Sequence, residues 1–104
     1  MSTGSYTMPT CPQTRELLDA VVDEMVAEFG IVRAEAVARV NVQWDGQDLS
    51  VEDDLILHED ERYWAFTIYY GGHVPDWSPG ADRAAWVPVA PPAPDSRFWT
   101  VTTS

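Results

Sequence analysis

The placement of proline constrains this chain more than any other feature of its 104 residues. Six of the eight prolines lie in residues 73–104, and the run Val87–Pro94 contains four of them. Proline has no amide hydrogen and clashes with the preceding helical turn, so regular helices are strongly disfavoured there. Polyproline II is the natural conformation of the run. The sequence therefore predicts that residues 73–104 form an irregular tail and that helices are confined to earlier residues.

Two segments before residue 45 have the apolar spacing of amphipathic helices. In residues 14–29, apolar side chains recur at steps of three and four: Leu18, Val21, Val22, Met25 and Phe29. Gly30 is expected to end this helix, because glycine enters the left-handed conformation at low cost. A second helix is predicted over residues 32–44, with one face formed by Ala34, Val37, Ala38, Asn41 and Trp44. Glu35 and Arg39 are expected to form a surface ion pair on this helix.

The segment 47–59 permits two interpretations. A short helical turn beginning at Ser50 is one, since the serine hydroxyl can cap a helix. An extended piece over residues 55–57 is the other. The sequence pattern is compatible with both the helical turn and the extended piece.

Residues 59–72 fit either a strand or a helix. The run Tyr63–Tyr70 has the aromatic and branched residues that strands prefer. However, three acids precede it and suit the positive end of a helix dipole, namely Glu59, Asp60 and Glu61. Gly71 and Gly72 follow the run and are expected to end a helix there. We favour a third helix, over residues 60–71.

The net charge of −11 is concentrated in one part of the chain. Residues 14–72 hold fourteen acids against four arginines, whereas residues 73–104 hold three acids against two. Such a chain is repelled by nucleic-acid phosphates and by anionic membranes, and it attracts basic partners. We therefore predict no direct binding of nucleic acid or membrane and expect a basic protein partner, although net charge also serves solubility alone.

Cysteine content and the first residues indicate the compartment. Cys11 is the single cysteine, so neither an intramolecular disulfide nor a cysteine-based metal site is available. Residues 1–13 lack the basic and apolar regions of a signal peptide and are predicted to be a flexible lead-in. No apolar run has the length of a membrane span. These features predict a cytoplasmic, soluble protein.

The residues that could carry chemistry do not form a known catalytic or metal motif. His58–Glu59 begins like a zinc-protease helix, but Arg62 stands where a second histidine is required. His73 is the other histidine, and it follows the glycine stop. Calcium-loop spacing and phosphate-binding loops are also absent from the sequence. We therefore predict no cofactor, no metal and no enzymatic activity.

Two features remain as candidates for binding a partner. Eight acids without a lysine or arginine between them form a candidate acidic face: Asp45, Asp48, Glu52, Asp53, Asp54, Glu59, Asp60 and Glu61. Such a run is also typical of a solvated surface. The tail holds three tryptophans, Trp77, Trp86 and Trp99. Their area favours docking on the helices, but any that stay exposed are candidate anchors for a partner.

One resemblance supports the helical interpretation. Residues 29–41 with Trp44, followed by residues 57–71, resemble a group of small uncharacterised acidic helical proteins from actinobacteria. The resemblance covers about residues 14–72, and the group has a serine cap where this chain has Val32. It implies that Tyr63–Tyr70 is helical, and it implies no activity.

Together these observations predict a mainly α fold. Three helices, over residues 14–29, 32–44 and 60–71, form a small orthogonal bundle with the tail across one side. The predicted function is a small, non-enzymatic protein-binding or regulatory module whose acidic face meets a basic partner. One alternative is an inhibitor or immunity-type protein that mimics nucleic acid, and another is a small enzyme using His58 with nearby carboxylates. The oligomeric state is left open.

Overall fold

A computed structural model shows a mainly α-helical protein. It describes residues 5–50, 55–72, 74–78 and 80–101. Three α-helices lie in these ranges: α1 (Pro12–Phe29), α2 (Arg33–Gln43) and α3 (Glu61–Tyr69). A short 3-10 helix, Leu55–His58, precedes α3. The predicted three-helix arrangement is confirmed, and each helix lies within about two residues of its predicted bounds.

Helix α1 begins two residues earlier than predicted, with Pro12 in its first turn, where the missing amide hydrogen is not needed. The Thr14 hydroxyl accepts a hydrogen bond from the Cys11 amide at 3.0 Å. It also donates to the Leu49 carbonyl at 2.5 Å, which ties the start of the helix to the loop after α2. Gly30 ends the helix as predicted, at a φ of 67°.

Helix α3 settles the ambiguity of the aromatic segment. The Asp60 carboxylate accepts a hydrogen bond from the Tyr63 amide at 2.8 Å and thereby caps the helix. Gly71 and Gly72 follow its end with positive φ angles. The strand interpretation is therefore wrong. Upstream, Leu55–His58 is 3-10 rather than extended, and most of the alternative turn predicted at Ser50 lies outside the described residues.

The three helices enclose one apolar core. It contains four buried residues of α1 and six of the other two helices: Leu18, Val21, Val22 and Met25, then Ala36, Val37, Val40, Ala65, Phe66 and Ile68. Phe29 continues the core at the end of α1, stacked on Tyr69 with ring centroids 3.9 Å apart. Each large apolar side chain buried here contributes about 1.5–3 kcal/mol. None of the described helices is both long enough and apolar enough to cross a membrane.

Residues 5–11, the described part of the chain before α1, pack against the helices, although residues 1–13 are predicted from the sequence to be a flexible lead-in. Tyr6 and Met8 are buried, and the Tyr6 hydroxyl donates to the Asp19 carboxylate at 2.6 Å. Burial and this hydrogen bond raise the pKa of Tyr6 well above the usual tyrosine value. The burial of Tyr6 and Met8 thus fixes a segment that its composition predicts to be flexible.

Asn41 joins the two ends of the described chain. Its side-chain amide donates to the Ser5 carbonyl at 3.2 Å and to the Phe98 carbonyl at 2.9 Å. Its oxygen accepts from the Thr7 amide at 3.0 Å. Since Asn41 is fully buried, these bonds satisfy polar atoms that would otherwise be costly.

The tail contacts α2 and α3 near residue 89. The Val89 amide donates to the Tyr69 carbonyl at 2.9 Å, and the Val89 carbonyl accepts from Arg39 at 2.6 Å. Arg39 also pairs with Glu35 at 2.9 Å and is only 6% exposed. The predicted ion pair of Glu35 and Arg39 therefore forms, but its expected position at the surface was wrong, because the tail covers this part of α2.

Candidate protein-binding surface

The predicted acidic face is only partly available to a partner. Glu52, Asp53 and Asp54 lie outside the described residues. Asp45 forms an ion pair with Arg97 at 2.6 Å. Asp48 accepts hydrogen bonds from the Ser50 amide and hydroxyl, which lower its pKa. These two carboxylates therefore have partners within the fold.

The other three acids of the run lie at the start of α3. Asp60 caps the helix through the Tyr63 amide, whereas Glu59 and Glu61 are exposed. Some acids of the run are thus exposed to solvent, and others hydrogen-bond or pair with groups of the fold. It is not a uniform patch of free carboxylates.

The three tail tryptophans differ in exposure. Trp77 is 41% exposed, although its ring stacks on Tyr63 with centroids 5.4 Å apart. Trp86 is half-buried and meets Tyr70 edge-on at 5.2 Å. The indole N–H of Trp99, also half-buried, donates to the Pro92 carbonyl at 3.0 Å. Trp77 is therefore the most accessible of the predicted anchors.

His58 is exposed at the end of the 3-10 helix, and His73 lies outside the described residues. Within the described part of the chain, no group of three or more His, Cys, Asp or Glu residues is placed to hold a metal ion. Two concavities on the described surface, of about 390 and 360 Å³, are not lined by His58, Glu59 or Tyr63. The geometry thus adds no support for an enzyme centred on His58.

An apolar groove of about 390 Å³ lies between α2, the end of α3 and the tail. Nine residues line it: Arg39, Val42, Gln43, Ile68, Gly71, Val89, Ala90, Pro92 and Phe98. Val42 and Val89 are each 46% exposed, while Ile68 is buried. The groove therefore presents apolar side chains to solvent around an apolar interior.

Contacts within the fold hold the walls of the groove. Arg39 forms one wall and is fixed by Glu35 and by the Val89 carbonyl. The opposite part of the tail is held at Phe98, whose carbonyl accepts from Asn41. Because these groups are engaged with one another, the groove is already formed before any ligand arrives.

The groove adjoins the first acids of the predicted face. Val42 and Gln43 lie in the last turn of α2, and Asp45 follows two residues later. The last turn of α2 contains no basic residue, so the partial negative charge of the helix end is not offset from within it. Asp45 keeps 40% of its side chain exposed despite its pairing with Arg97. The Arg97 guanidinium, 4.5 Å from the ring centroid of the lining residue Phe98, partly offsets this negative charge.

Sequence reasoning missed this groove because distant segments form it. The residues come from positions 39–43, 68–71 and 89–98, and no spacing rule relates them. One local signal was available: Val42 is an apolar residue away from the face that predicts the core of α2.

Comparisons with known proteins identify no relative. The chain matches no family model, no curated protein and no solved structure. The resemblance to small actinobacterial proteins therefore stays a prediction.

Proposed function

We propose that the protein is a non-enzymatic protein-binding module that receives an apolar side chain of a basic partner in the apolar groove. The observation that carries this proposal is the exposure of Val42 and Val89 around a preformed groove. Exposed apolar concavities of this kind are typical of binding surfaces.

The lining of the groove favours a protein partner over a polar metabolite. Most lining atoms are apolar, and the one charged side chain, Arg39, already has partners inside the fold. A volume of about 390 Å³ suits one or two apolar side chains from an extended segment or a helix. Burial of these partner side chains in the groove supplies most of the binding affinity.

The charge of the chain favours a basic partner. The net charge is −11, and the end of α2, which carries the partial negative charge of the helix, contributes Val42 and Gln43 to the groove. Negative potential attracts a basic surface and accelerates association, with a strong dependence on salt. A reducing cytoplasm, predicted from the single cysteine, is the compartment that we propose for this encounter.

The experiment compares three baits in capture from a cytoplasmic extract: the wild type, Val42→Asp and Val32→Asp. Val32 is the matched control, since it is a 57% exposed valine that does not line the groove. Unfolding curves first establish that the three baits are equally folded. A buried, unpaired aspartate costs several kcal/mol, so V42D is expected to retain a true partner at least about tenfold less well, whereas V32D retains it normally.

The captured proteins are then identified at low and high salt. We expect those that depend on Val42 to be basic and to be released by salt. If all three baits retain the same proteins, the groove is not the binding surface. If the Val42-dependent proteins are neutral and insensitive to salt, the apolar part of the proposal stands and the electrostatic part is wrong.

A further inference from the structure

A second concavity, the charged cavity, lies between α1, α3 and the tail residues 76–78 and 80–86. Its volume is about 360 Å³. Nine residues line it: Glu28, Arg62, Phe66, Asp76, Ser78, Gly80, Ala81, Arg83 and Trp86. Two arginines, two acids and two aromatic rings therefore face one small space.

Arg62 is the most informative of these residues. Its guanidinium carbon lies 4.4 Å from the centroid of the Phe66 ring, and its side chain is half-buried. Among the described residues, none accepts a hydrogen bond from this guanidinium or forms an ion pair with it. A planar guanidinium whose five donors meet no acceptor in the described part of the chain is suited to a carboxylate, which it can bind through two parallel hydrogen bonds.

Arg83 brings a second guanidinium to the same ring. Its guanidinium carbon lies 5.1 Å from the Phe66 centroid, and it pairs with Glu28 at a distance of 3.3 Å. This ion pair is long for a charge-assisted hydrogen bond. The cavity thus contains one guanidinium without a hydrogen-bond acceptor among the described residues, although the Glu24 carboxylate is near enough for Arg62 to lower its pKa, beside a second guanidinium in a long ion pair.

The acids exclude a simple anion as the ligand. Glu28 and Asp76 line the cavity, and hydrogen bonds from Ser78 lower the pKa of Asp76, which keeps it ionised. Beside them, burial and the neighbouring Glu28 and Glu61 raise the pKa of Glu24, and the nearby Arg62 offsets only part of this rise. Carboxylates crowded in this way oppose a further negative charge and favour a positive one.

We propose that the charged cavity binds a free α-amino acid, with its carboxylate on Arg62 and its ammonium group facing Glu28 and Asp76. A zwitterion meets both signs of charge at once, whereas a simple anion or cation meets only one. The volume lies at the small end of the range for ligand sites, as a metabolite of this size requires. The half-buried Trp86 offers apolar contact to its side chain.

The test is calorimetric titration of the full chain with a panel of amino acids. Propionate, which has a carboxylate alone, and ethylamine, which has an amine alone, are titrated in parallel. We expect at least one amino acid to bind with a dissociation constant below about 10 mM and at least about tenfold more tightly than either control compound. If no amino acid binds, or if propionate binds equally well, the proposal is overturned.

Variants assign the binding to the cavity. Arg62→Gln is expected to weaken it at least about tenfold, and Arg62→Lys, which keeps the charge but loses the fork, should show an intermediate loss. Arg15→Gln is the matched control, since Arg15 lies 5.9 Å from the Tyr6 ring and does not line the cavity. Equal losses in R62Q and R15Q would overturn the assignment. V42D is expected to bind amino acids normally, so this proposal and the proposed function fail separately.

Discussion

The apolar groove and the charged cavity combine the same two parts of the molecule, α3 and the tail, yet they use arginine in opposite ways. Arg39 in the groove is 6% exposed, and its donors bind Glu35 and the Val89 carbonyl. Arg62 in the charged cavity lies over Phe66 and has no acceptor among the described residues. Both arginines line a concavity, so that position alone does not distinguish them. The difference is whether the guanidinium donors are hydrogen-bonded within the fold, as in Arg39, or are left for a ligand, as we propose for Arg62.

The largest effect is expected from removing the engaged arginine. Arg39→Met should lower the free energy of unfolding by about 2–4 kcal/mol, because it leaves the Glu35 carboxylate and the Val89 carbonyl without their donor. Arg62→Met, the matched change in the charged cavity, should cost less than about 1 kcal/mol. Urea unfolding of both variants measures the difference. Equal losses would show that Arg62 is also structural and would break the comparison.

A smaller effect is expected from the wall between α3 and the tail. A Cβ at Gly71 would lie 2.6 Å from Cγ2 of Val89, whereas a Cβ at Gly72 would meet nothing within 4 Å. Both glycines have positive φ, so alanine is strained at either position. Gly71→Ala should therefore destabilise the fold by about 1–3 kcal/mol more than Gly72→Ala.

Limited proteolysis reports where the Gly71 variant loosens. Cleavage in residues 86–92 should accelerate in G71A and stay near the wild-type rate in G72A. Equal stability and equal cleavage rates in the two variants would mean that Val89 moves aside with no loss of stability. The wall of the groove would then be more flexible than its contacts indicate.

The smallest effect concerns the carboxylates beside the charged cavity. Burial and the neighbouring Glu28 and Glu61 raise the folded-state pKa of Glu24. The fold therefore holds a proton more tightly than the unfolded chain does, and this group stabilises the fold as pH falls through its folded pKa and opposes it at neutral pH. Glu24→Gln should add less than about 1 kcal/mol of stability at pH 7.

Unfolding curves between pH 7 and the ordinary carboxyl pKa test this sign. The advantage of E24Q over the wild type should shrink as pH falls. Glu16→Gln removes the same charge from an exposed position on α1 and serves as the control. A similar gain in E16Q would indicate a general effect of net charge and no local crowding at the charged cavity.

Local patterns predicted the helices because helices depend on local spacing. The stripe of α1, the stop at Gly30 and the acids before α3 all act within a few residues of one another. The proline content also placed irregular structure in the tail. These features need no knowledge of how distant segments meet.

The remaining features arise from contacts between distant segments. Spacing placed Asn41 on the inner face of α2, but not its bonds to Ser5, Thr7 and Phe98. Arg39 was expected on the surface because the helical spacing does not show that the tail passes over it and bonds to it through Val89. Likewise, the acid run is conspicuous in sequence, although Asp45 and Asp60 serve the fold. Both concavities need the tail, and no local rule predicts its course.

The bonds of Asn41 also bear on the order in which the chain folds. They span 34, 36 and 57 residues, and the nearby hydrogen bond from Thr100 to the Ser5 carbonyl spans 95. Closing loops of this length carries an entropic penalty that helical turns avoid. The helices are therefore expected to assemble first, with both chain ends docking onto α2 late. Hydrogen exchange should find this junction among the earliest parts of the native protein to open.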